Sequence, residues 1–448
     1  MLLRVRESQW SPFINALIAR QDVETAAVIL AERLDGGEVL LAKHLIMVPD
    51  DGYLIRRSDQ LRLDPVALNR LIRCARDEGL SVLTIHTHPG TSEPWFSLAD
   101  DAGDARLIPS LFAQMPGPHG SLVVAGESGM VAGRVWSECG VKTDLRVRTV
   151  GVMLRARPAT SPGRNPTWFE RQQLALGESG QAVLHDLHIG VVGLGGTGSV
   201  VLVQLAHLGV GRITVVDGDL VERSNVSRIL GATTCDAGIT PKVAVALRYV
   251  ESVGLGTRVQ PIQGHLGQHV SVADIESCDV VLSCVDRHTP RALLNRLAYD
   301  KAIPTIDMGS AFRANGEGRI VASAGRVVIV GPGRRCLACW GHIDPDVLRI
   351  EALPPVDRAS QILEGYIRGA DVPQPSVVSF NTMIAGAAVI ELLRLVTGFA
   401  GSNDSPARLS FDFESGTVRR NRLDSTPCSI CGSVDPPATG ERAGRRDK

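Results

Sequence analysis

No run of about 18 or more apolar residues occurs in the chain. Its first residues also lack the basic, apolar and small-residue succession of a secretory signal, so neither a membrane span nor export is expected, and the cytoplasm is the expected compartment. Net charge is nearly absent: 47 Lys and Arg stand against 48 Asp and Glu, a balance of -1. Without a basic surplus, nucleic-acid binding through a positive surface is excluded as the organising function. There is no internal repeat and no disulfide framework, because the nine cysteines are odd in number and include two distant Cys-x-x-Cys pairs. What remains is a 448-residue chain, 44% hydrophobic and 21% charged, long enough for two or three α/β domains with sizeable cores.

Residues 1–154 read as a small mixed α/β domain. Apolar runs at 23–34 and 39–48 flank the turn signal Asp35-Gly36-Gly37, and near-helical apolar spacing follows over 65–77. A buried strand over 81–85 then delivers His86-Thr87-His88-Pro89 at its end. Strand residues i and i+2 point the same way, so both imidazoles can reach one metal ion. Asp100 offers a third ligand, and Ser97 faces the same place from the opening turn of a helix. Two exposed histidines ahead of a capped helix would carry similar letters; the added Ser97-x-x-Asp100 favours the metal.

These residues resemble the JAB/JAMM metalloprotease signature of an upstream glutamate, His-[Ser/Thr]-His-Pro, a loop and Ser-x-x-Asp. The loop here is one residue longer than in the commonest form of that family, which leaves Asp101 as the alternative to Asp100. The resemblance implies a cytidine-deaminase-like fold with one catalytic zinc on His86, His88 and Asp100. It also implies Glu24 as general base and acid, with Glu32 as its substitute, and Ser97 as a donor to the oxyanion or the water. The substrate class it implies is a peptide or isopeptide bond following the tail of a ubiquitin-like protein.

Pro158, Pro162, Gly163 and Pro166 mark 155–166 as a linker, and a second domain over 167–432 precedes a tail at 433–448 whose composition predicts disorder. In that domain an apolar run from His188 breaks into Gly193, Gly195, Gly196 and Gly198, which reads as strand, phosphate loop and helix. Alone, this loop suits a dinucleotide as well as ATP. A second strand over 213–219 ends in Asp217 and Asp219, Asn225 and Arg228 follow, Lys242 comes after a proline turn, and a strand over 280–286 ends in Asp286. Cations beside a triphosphate, with a carboxylate for magnesium, suit adenylation, in which a carboxylate attacks the α-phosphorus. Hydride transfer needs none of them.

With Arg171-Gln172 ahead of the loop and Arg291 and Asn295 after Asp286, the constellation resembles the ThiF/MoeB and ubiquitin-activating superfamily over roughly 168–432. Ile229 stands where that family usually has glutamine. The resemblance implies a Rossmann-like, mostly parallel sheet with ATP and Mg2+ bound. Asp217 would hold the ribose, Asn225, Arg228 and Lys242 the phosphates, and Asp286 the magnesium. Arg171 would cross a homodimer to the other subunit's ATP.

Cys336-x-x-Cys339 and Cys428-x-x-Cys431 together can supply four thiolates to a closed structural zinc site, whereas either pair alone could be a redox dithiol. No cysteine falls between 340 and 427, where some members of the superfamily carry an acyl-accepting thiol. Cys74, Cys139, Cys235, Cys278 and Cys284 lie in or beside apolar runs and read as packed. Either adenylation is the whole reaction, or another nucleophile such as a serine serves. A helix over 383–397 reads as core or dimer seam.

The expected function is therefore bifunctional: zinc-dependent processing or deconjugation of a ubiquitin-like protein, and ATP-dependent adenylation of its C-terminal glycine. By resemblance this belongs to bacterial ubiquitin-like conjugation, including antiphage defence, with a separate conjugating enzyme as further partner. The alternative is activation of a sulfur-carrier protein for thiocarboxylate formation.

Overall fold

The computed structural model describes residues 1–34, 36–156, 166–315, 319–364, 375–401, 408–423 and 426–432. Most of the linker expected at 155–166, and all of the tail expected at 433–448, lie outside the described residues. The chain divides into two compact units, one of Met1–Gly151 with Arg155–Arg157, the other of Pro158–Val434 with Val152–Leu154.

From the N-terminus the strands are β1 (Leu2–Arg6), β2 (Ala26–Arg33), β3 (Val39–Met47), β4 (Tyr53–Arg56), β5 (Leu61–Leu63), β6 (Ser81–His88), β7 (His119–Ala125), β8 (Val131–Trp136), β9 (Lys142–Asp144), β10 (Arg146–Val150) and β11 (Leu154–Ala156). Helices α1 (Glu7–Leu17), α2 (Pro65–Glu78) and α3 (Leu98–Phe112) lie between them. The sheet runs β11-β10-β1-β3-β2-β6-β7-β8-β9, with β4-β5 a separate hairpin. Central strand β2 is buried on both faces, which is why its sequence is a continuous apolar run. Ala27, Ile29 and Ala31 pack with Trp10, Phe13, Ile14 and Leu17 of α1. Val28 and Leu30, of opposite parity, pack with Ile72 of α2 and Ile108 and Leu111 of α3. Strand β6 extends through His88, so both histidines lie inside the strand rather than after it. Glu24, expected on the strand, precedes β2: its N–H bonds to Arg57 O at 2.8 Å instead of entering the ladder.

In the second unit the elements are α4 (Glu170–Asp186), β12 (His188–Val192), α5 (Gly196–His207), β13 (Arg212–Asp217), α6 (Lys242–Val253), β14 (Arg258–Gln263), β15 (Val280–Ser283), α7 (His288–Asp300), β16 (Thr305–Ala314), β17 (Ile320–Val330), α8 (Pro345–Glu351), α9 (Pro355–Leu363), α10 (Val378–Thr397), β18 (Arg408–Asp412) and β19 (Thr417–Asn421). The sheet order is β14-β13-β12-β15-β16-β17-β18-β19. It is parallel from β14 to β16 and antiparallel beyond. Successive strands run outward from β12 through β13 to β14, then resume on its other side with β15, so a topological switch lies between β12 and β15. Ligands of such sheets bind at the carboxyl ends of the strands at that switch. Helix α10 is long and apolar enough to cross a membrane by length and composition, yet half of that stretch is buried within the unit, where α10 packs on α5 and β16.

Two strands end earlier than their apolar runs suggest. β13 stops at Asp217 because that carboxylate accepts the Asp219 N–H at 2.9 Å and turns the chain. β15 stops at Ser283, paired with Val192, because its neighbour β12 gives way there to the glycine loop. Asp286 consequently sits on a loop, not at a strand end.

Candidate functional site

At the switch the glycine loop is shaped by contacts that exclude side chains. Gly193 has φ 90°, and a Cβ there would lie 2.7 Å from Cys284 O. At Gly198 a Cβ would strike the Gly193 carbonyl oxygen, so the first turn of α5 packs directly on the loop. The N-terminal amides of α5 therefore face the space beyond β12, with the positive end of the helix dipole behind them.

A cavity of about 1030 Å3 opens there. Gly193, Gly195, Gly196, Asp217, Asp219, Asn225, Arg228, Lys242 and Asp286 all line it. Gly198 supports the loop from behind. Asp217 is buried and accepts the Leu194 N–H at 2.6 Å, fixing the loop to the end of β13. Burial pushes its carboxyl above the ordinary range, and Lys242 pulls it back. Lys242 Nζ lies 2.7 Å from Asp219 Oδ2 and 3.7 Å from Asp217 Oδ1. Asn225 is buried and donates to Ser224 Oγ at 3.2 Å, while Arg228 Nη1 donates to Ser224 O at 2.7 Å. Asp286 is exposed on its loop. Arg171, also exposed, is on the first turn of α4 and does not line the cavity. Buried Ile229 packs in the core.

The two Cys-x-x-Cys pairs meet. Sγ separations are 3.7 Å for Cys336–Cys339, 3.5 Å for Cys336–Cys428, 3.7 Å for Cys339–Cys431 and 3.8 Å for Cys428–Cys431. Four thiolates at the zinc–sulfur distance of ~2.3 Å form a tetrahedron with edges of about 3.8 Å. The donor set thus fits zinc, and Tyr299, Val328, Leu337 and Trp340 pack around it. Asn295 Oδ1 accepts the Leu337 N–H at 2.8 Å, tying this knuckle to α7.

In the first unit His86, His88 and Asp100 converge. His86 Nε2 lies 3.2 Å from His88 Nε2 and 3.0 Å from Asp100 Oδ1, and His88 Nε2 lies 3.5 Å from Asp100 Oδ2. Ligands about 2.05 Å from a tetrahedral zinc would stand about 3.3 Å apart, so this set fits as well. Burial would raise the Asp100 carboxyl, but hydrogen bonds from His86 and His88 outweigh it and hold it far below the usual carboxylate range. Asp101 turns away to Arg134 Nη1 at 2.5 Å. Arg134 also grips Asp104 and lies 3.8 Å over the Phe96 ring, which anchors the start of α3. Glu32 points to Lys43 at 3.3 Å. Glu24 is buried, and burial pushes its carboxyl up while His86 and His88 pull it down.

Ser97, expected as a donor to the oxyanion or the water, also serves the helix start. It is the N-cap of α3, its hydroxyl donating to Asp100 Oδ2 at 2.8 Å and accepting the Asp100 N–H at 3.2 Å. With its proton committed to Asp100, it positions that carboxylate. Of the five other cysteines, expected to be packed, just Cys278 is fully buried. Cys139 and Cys235 are exposed and Cys74 and Cys284 intermediate, because the first two sit on tight turns and Cys284 edges the cavity.

Comparison with known proteins shows the family of the second unit. The model of the family described as "ThiF family" matches residues 169–432, more than half of the chain. The chain belongs to the ThiF family. Its relatives include the adenylyltransferase and sulfurtransferase UBA4 of Yarrowia lipolytica, 30% identical over 273 residues, covering 59% of this chain and 61% of that protein. The SAMP-activating enzyme E1 of Haloferax volcanii is 33% identical over 162 residues, 36% of this chain and 57% of that enzyme. The sulfur carrier protein adenylyltransferase of Thermus thermophilus is 29% identical over 275 residues, 61% of this chain and 92% of the relative. The match thus spans about three fifths of the first two relatives' length. Escherichia coli MccB with ATP, a solved structure, aligns at a TM-score of 0.47 and 18% identity over 60% of this chain and 76% of MccB.

The ThiF match takes in the cavity and the cysteine knuckle, and leaves residues 1–168, with the His86, His88 and Asp100 cluster, outside it. Within the ThiF unit several cavity residues escaped sequence reasoning. His265 covers the turn after β13, where a Cβ on Gly218 would meet its ring at 2.6 Å. Glu351 caps α7 by accepting the His288 N–H at 3.0 Å and the Thr289 N–H at 2.7 Å. Arg326 and Asn381 reach the site from β17 and α10, with Asp307 of β16 buried behind Arg326, and no local motif marks them.

Proposed function

We propose that this protein adenylates the C-terminal carboxylate of a small ubiquitin-like or sulfur-carrier protein. The observation that carries the reading is the cavity at the switch of a ThiF chain, lined by a glycine loop, by Asp217 and Asp219 at the end of β13, and by Arg228 and Lys242. A carboxylate oxygen of the carrier attacks the α-phosphorus of ATP, the bond from that phosphorus to the bridging oxygen breaks, and pyrophosphate leaves with its electron pair. Asp217 binds the ribose hydroxyls, the loop amides with Asn225, Arg228 and Lys242 hold the phosphates, and the exposed carboxylate of Asp286 is a hard oxygen donor suited to magnesium, which supplies charge neutralisation when bound. Arg171 serves the ATP of a second copy in a homodimer. With no cysteine between 340 and 427, the acyl-adenylate passes to a separate acceptor. The sulfur-carrier branch of the reading draws support from the names of the UBA4 and Thermus relatives. The test is exchange of labelled pyrophosphate into ATP in the presence of a small carrier ending in Gly-Gly. Exchange should disappear when the last glycine is deleted; exchange indifferent to that deletion would sink the reading.

The convergence of His86, His88 and Asp100, with a buried carboxylate nearby, favours a second activity in the first unit: zinc-dependent cleavage of the peptide or isopeptide bond that follows such a tail. A zinc ion on these three ligands supplies Lewis acidity and lowers the pKa of water. Glu24, desolvated and so more basic than a surface carboxylate, takes the water proton and returns it to the leaving amine. Glu24→Gln is expected to lower cleavage about 10²-fold with zinc content unchanged by elemental analysis. Cleavage at wild-type rate in a zinc-loaded variant would remove Glu24 from the mechanism.

A further inference from the structure

The cavity does not end at the phosphate loop. It continues along the antiparallel part of the sheet, past Gly309 and Ser310 on β16 to Arg326 on β17 and Asn381 on α10. None of the roles given above uses that end.

Asp307, on β16, has no solvent exposure and is shared by two guanidiniums. Arg291 Nε reaches its Oδ2 at 3.0 Å and Arg326 Nη2 reaches its Oδ1 at 3.1 Å. Arg291 is further engaged, donating to Val285 O at 2.8 Å. Arg326 is not: its Nε is buried with no hydrogen-bond partner. Directly across the strand pair stands Gly309, and a Cβ there would lie 3.3 Å from Arg326 Nη1. The glycine thus leaves the guanidinium uncovered on the cavity side. Two arginines on one carboxylate leave one positive charge in a half-buried setting, where an uncompensated ion is costly unless something anionic arrives. Arg291 and Arg408 add positive charge near Arg326. Burial first, and then the charges of Arg326 and Arg408 against Asp307, drive His342 to about 4, so it is neutral at pH 7 and adds none.

We infer that Arg326, held by Asp307 over Gly309, is the binding site for the free carboxylate of the acyl substrate. The identity of that carboxylate rests on the adenylation reading. An anionic nucleophile approaching a triphosphate is repelled by it, and a guanidinium at the β17 end of the cavity offsets that repulsion, with Nη1, on the Gly309 side, as its donor to the carboxylate. Attack then draws one oxygen from the guanidinium to phosphorus, and the neutral acyl group that results holds Arg326 less tightly.

The test uses the full chain and two probes of equal size, acetyl-Gly-Gly and its C-terminal amide, titrated with and without a non-hydrolysable ATP analogue and Mg2+. The wild type should bind the acid about tenfold more tightly than the amide, as a charge-assisted contact implies. Arg326→Gln should bring the two within about twofold while leaving affinity for the ATP analogue within about twofold. Arg326→Lys, which keeps a charge beside Asp307 and guards against misfolding of the glutamine variant, should retain about a threefold preference. Equal affinities in the wild type, or a preference that survives Arg326→Gln, would overturn the inference. So would a glutamine variant that loses the ATP analogue more than the acid, since Arg326 would then belong to the phosphates. Failure of the wild type to bind the ATP analogue would count against adenylation instead, and the acid-over-amide preference without nucleotide would still decide the role of Arg326.

Discussion

Lys242→Ala is expected to lower carrier-dependent pyrophosphate exchange by roughly 10²–10³-fold, the usual loss when one preorganised charge is removed from a dry site of phosphoryl chemistry. Lys242 is the first residue of α6, at the positive end of a helix dipole, where a buried ammonium is disfavoured unless anions surround it. Asp219 at 2.7 Å and Asp217 at 3.7 Å meet that need now. Asp219 is half exposed and free to swing away when phosphates arrive, so the lysine is poised to exchange one anion for another. The substitution also strips Asp217 of its cation. Its carboxyl, raised by burial with Lys242 opposing, would rise further. A carboxyl raised in the folded state leaves stability intact at pH values below its unfolded pKa and lowers stability as pH climbs through the folded value. The alanine variant should therefore melt closer to wild type at acid pH than at neutral pH. Exchange within fivefold of wild type would remove Lys242 from the phosphate site, whatever the melting curves show.

Cys339→Ser is expected to release one zinc per chain and to lower the melting transition of the ThiF unit by roughly 10 °C. Structural zinc sites bind with apparent free energies of about 10–16 kcal/mol, much of it linked to folding. Forfeiting even about 4 kcal/mol shifts a unit of this size by roughly 8–16 °C. The sulfur tetrahedron joins a loop after β17 to the C-terminal pair, and apolar side chains of α7 and β17 close around it, so breaking it opens a core as well. Elemental analysis and calorimetry check the two halves separately. A redox dithiol would instead respond to reductant and oxidant while zinc content stayed unchanged, and that result would end the structural reading.

What the sequence makes legible here is what is local. The glycine loop, Asp217, Asp219 and Lys242 each end, directly follow or open a regular element, so one short window contains both the element and its candidate site residue. Ser97 and Asp100 are legible but ambiguous, since the Ser-x-x-Asp letters of the metalloprotease signature and of a helix capping box coincide, and in the structure the two residues form the box while Asp100 also meets His86 and His88. Arg326 and Asn381 are not legible, nor is Asp307 beside Arg326, because strand pairing and helix packing bring these residues together from distant windows. The exposure of Cys139 follows from turn geometry at 137–141, where local hydrogen bonds outweigh the apolar neighbours.

The wall that receives Asn381 has a further consequence. A Cβ on Gly196 would collide with the Asn381 amide, so the phosphate loop and α10 close on each other from opposite ends of the unit. Contacts so far apart in sequence must wait for a large loop-closure entropy to be met, which makes this region late in folding. During synthesis β12, the loop and α5 emerge well before α10, and their apolar faces have no permanent cover until it follows. Chains interrupted before α10 should accumulate as chaperone substrates or aggregates rather than as nucleotide-binding fragments.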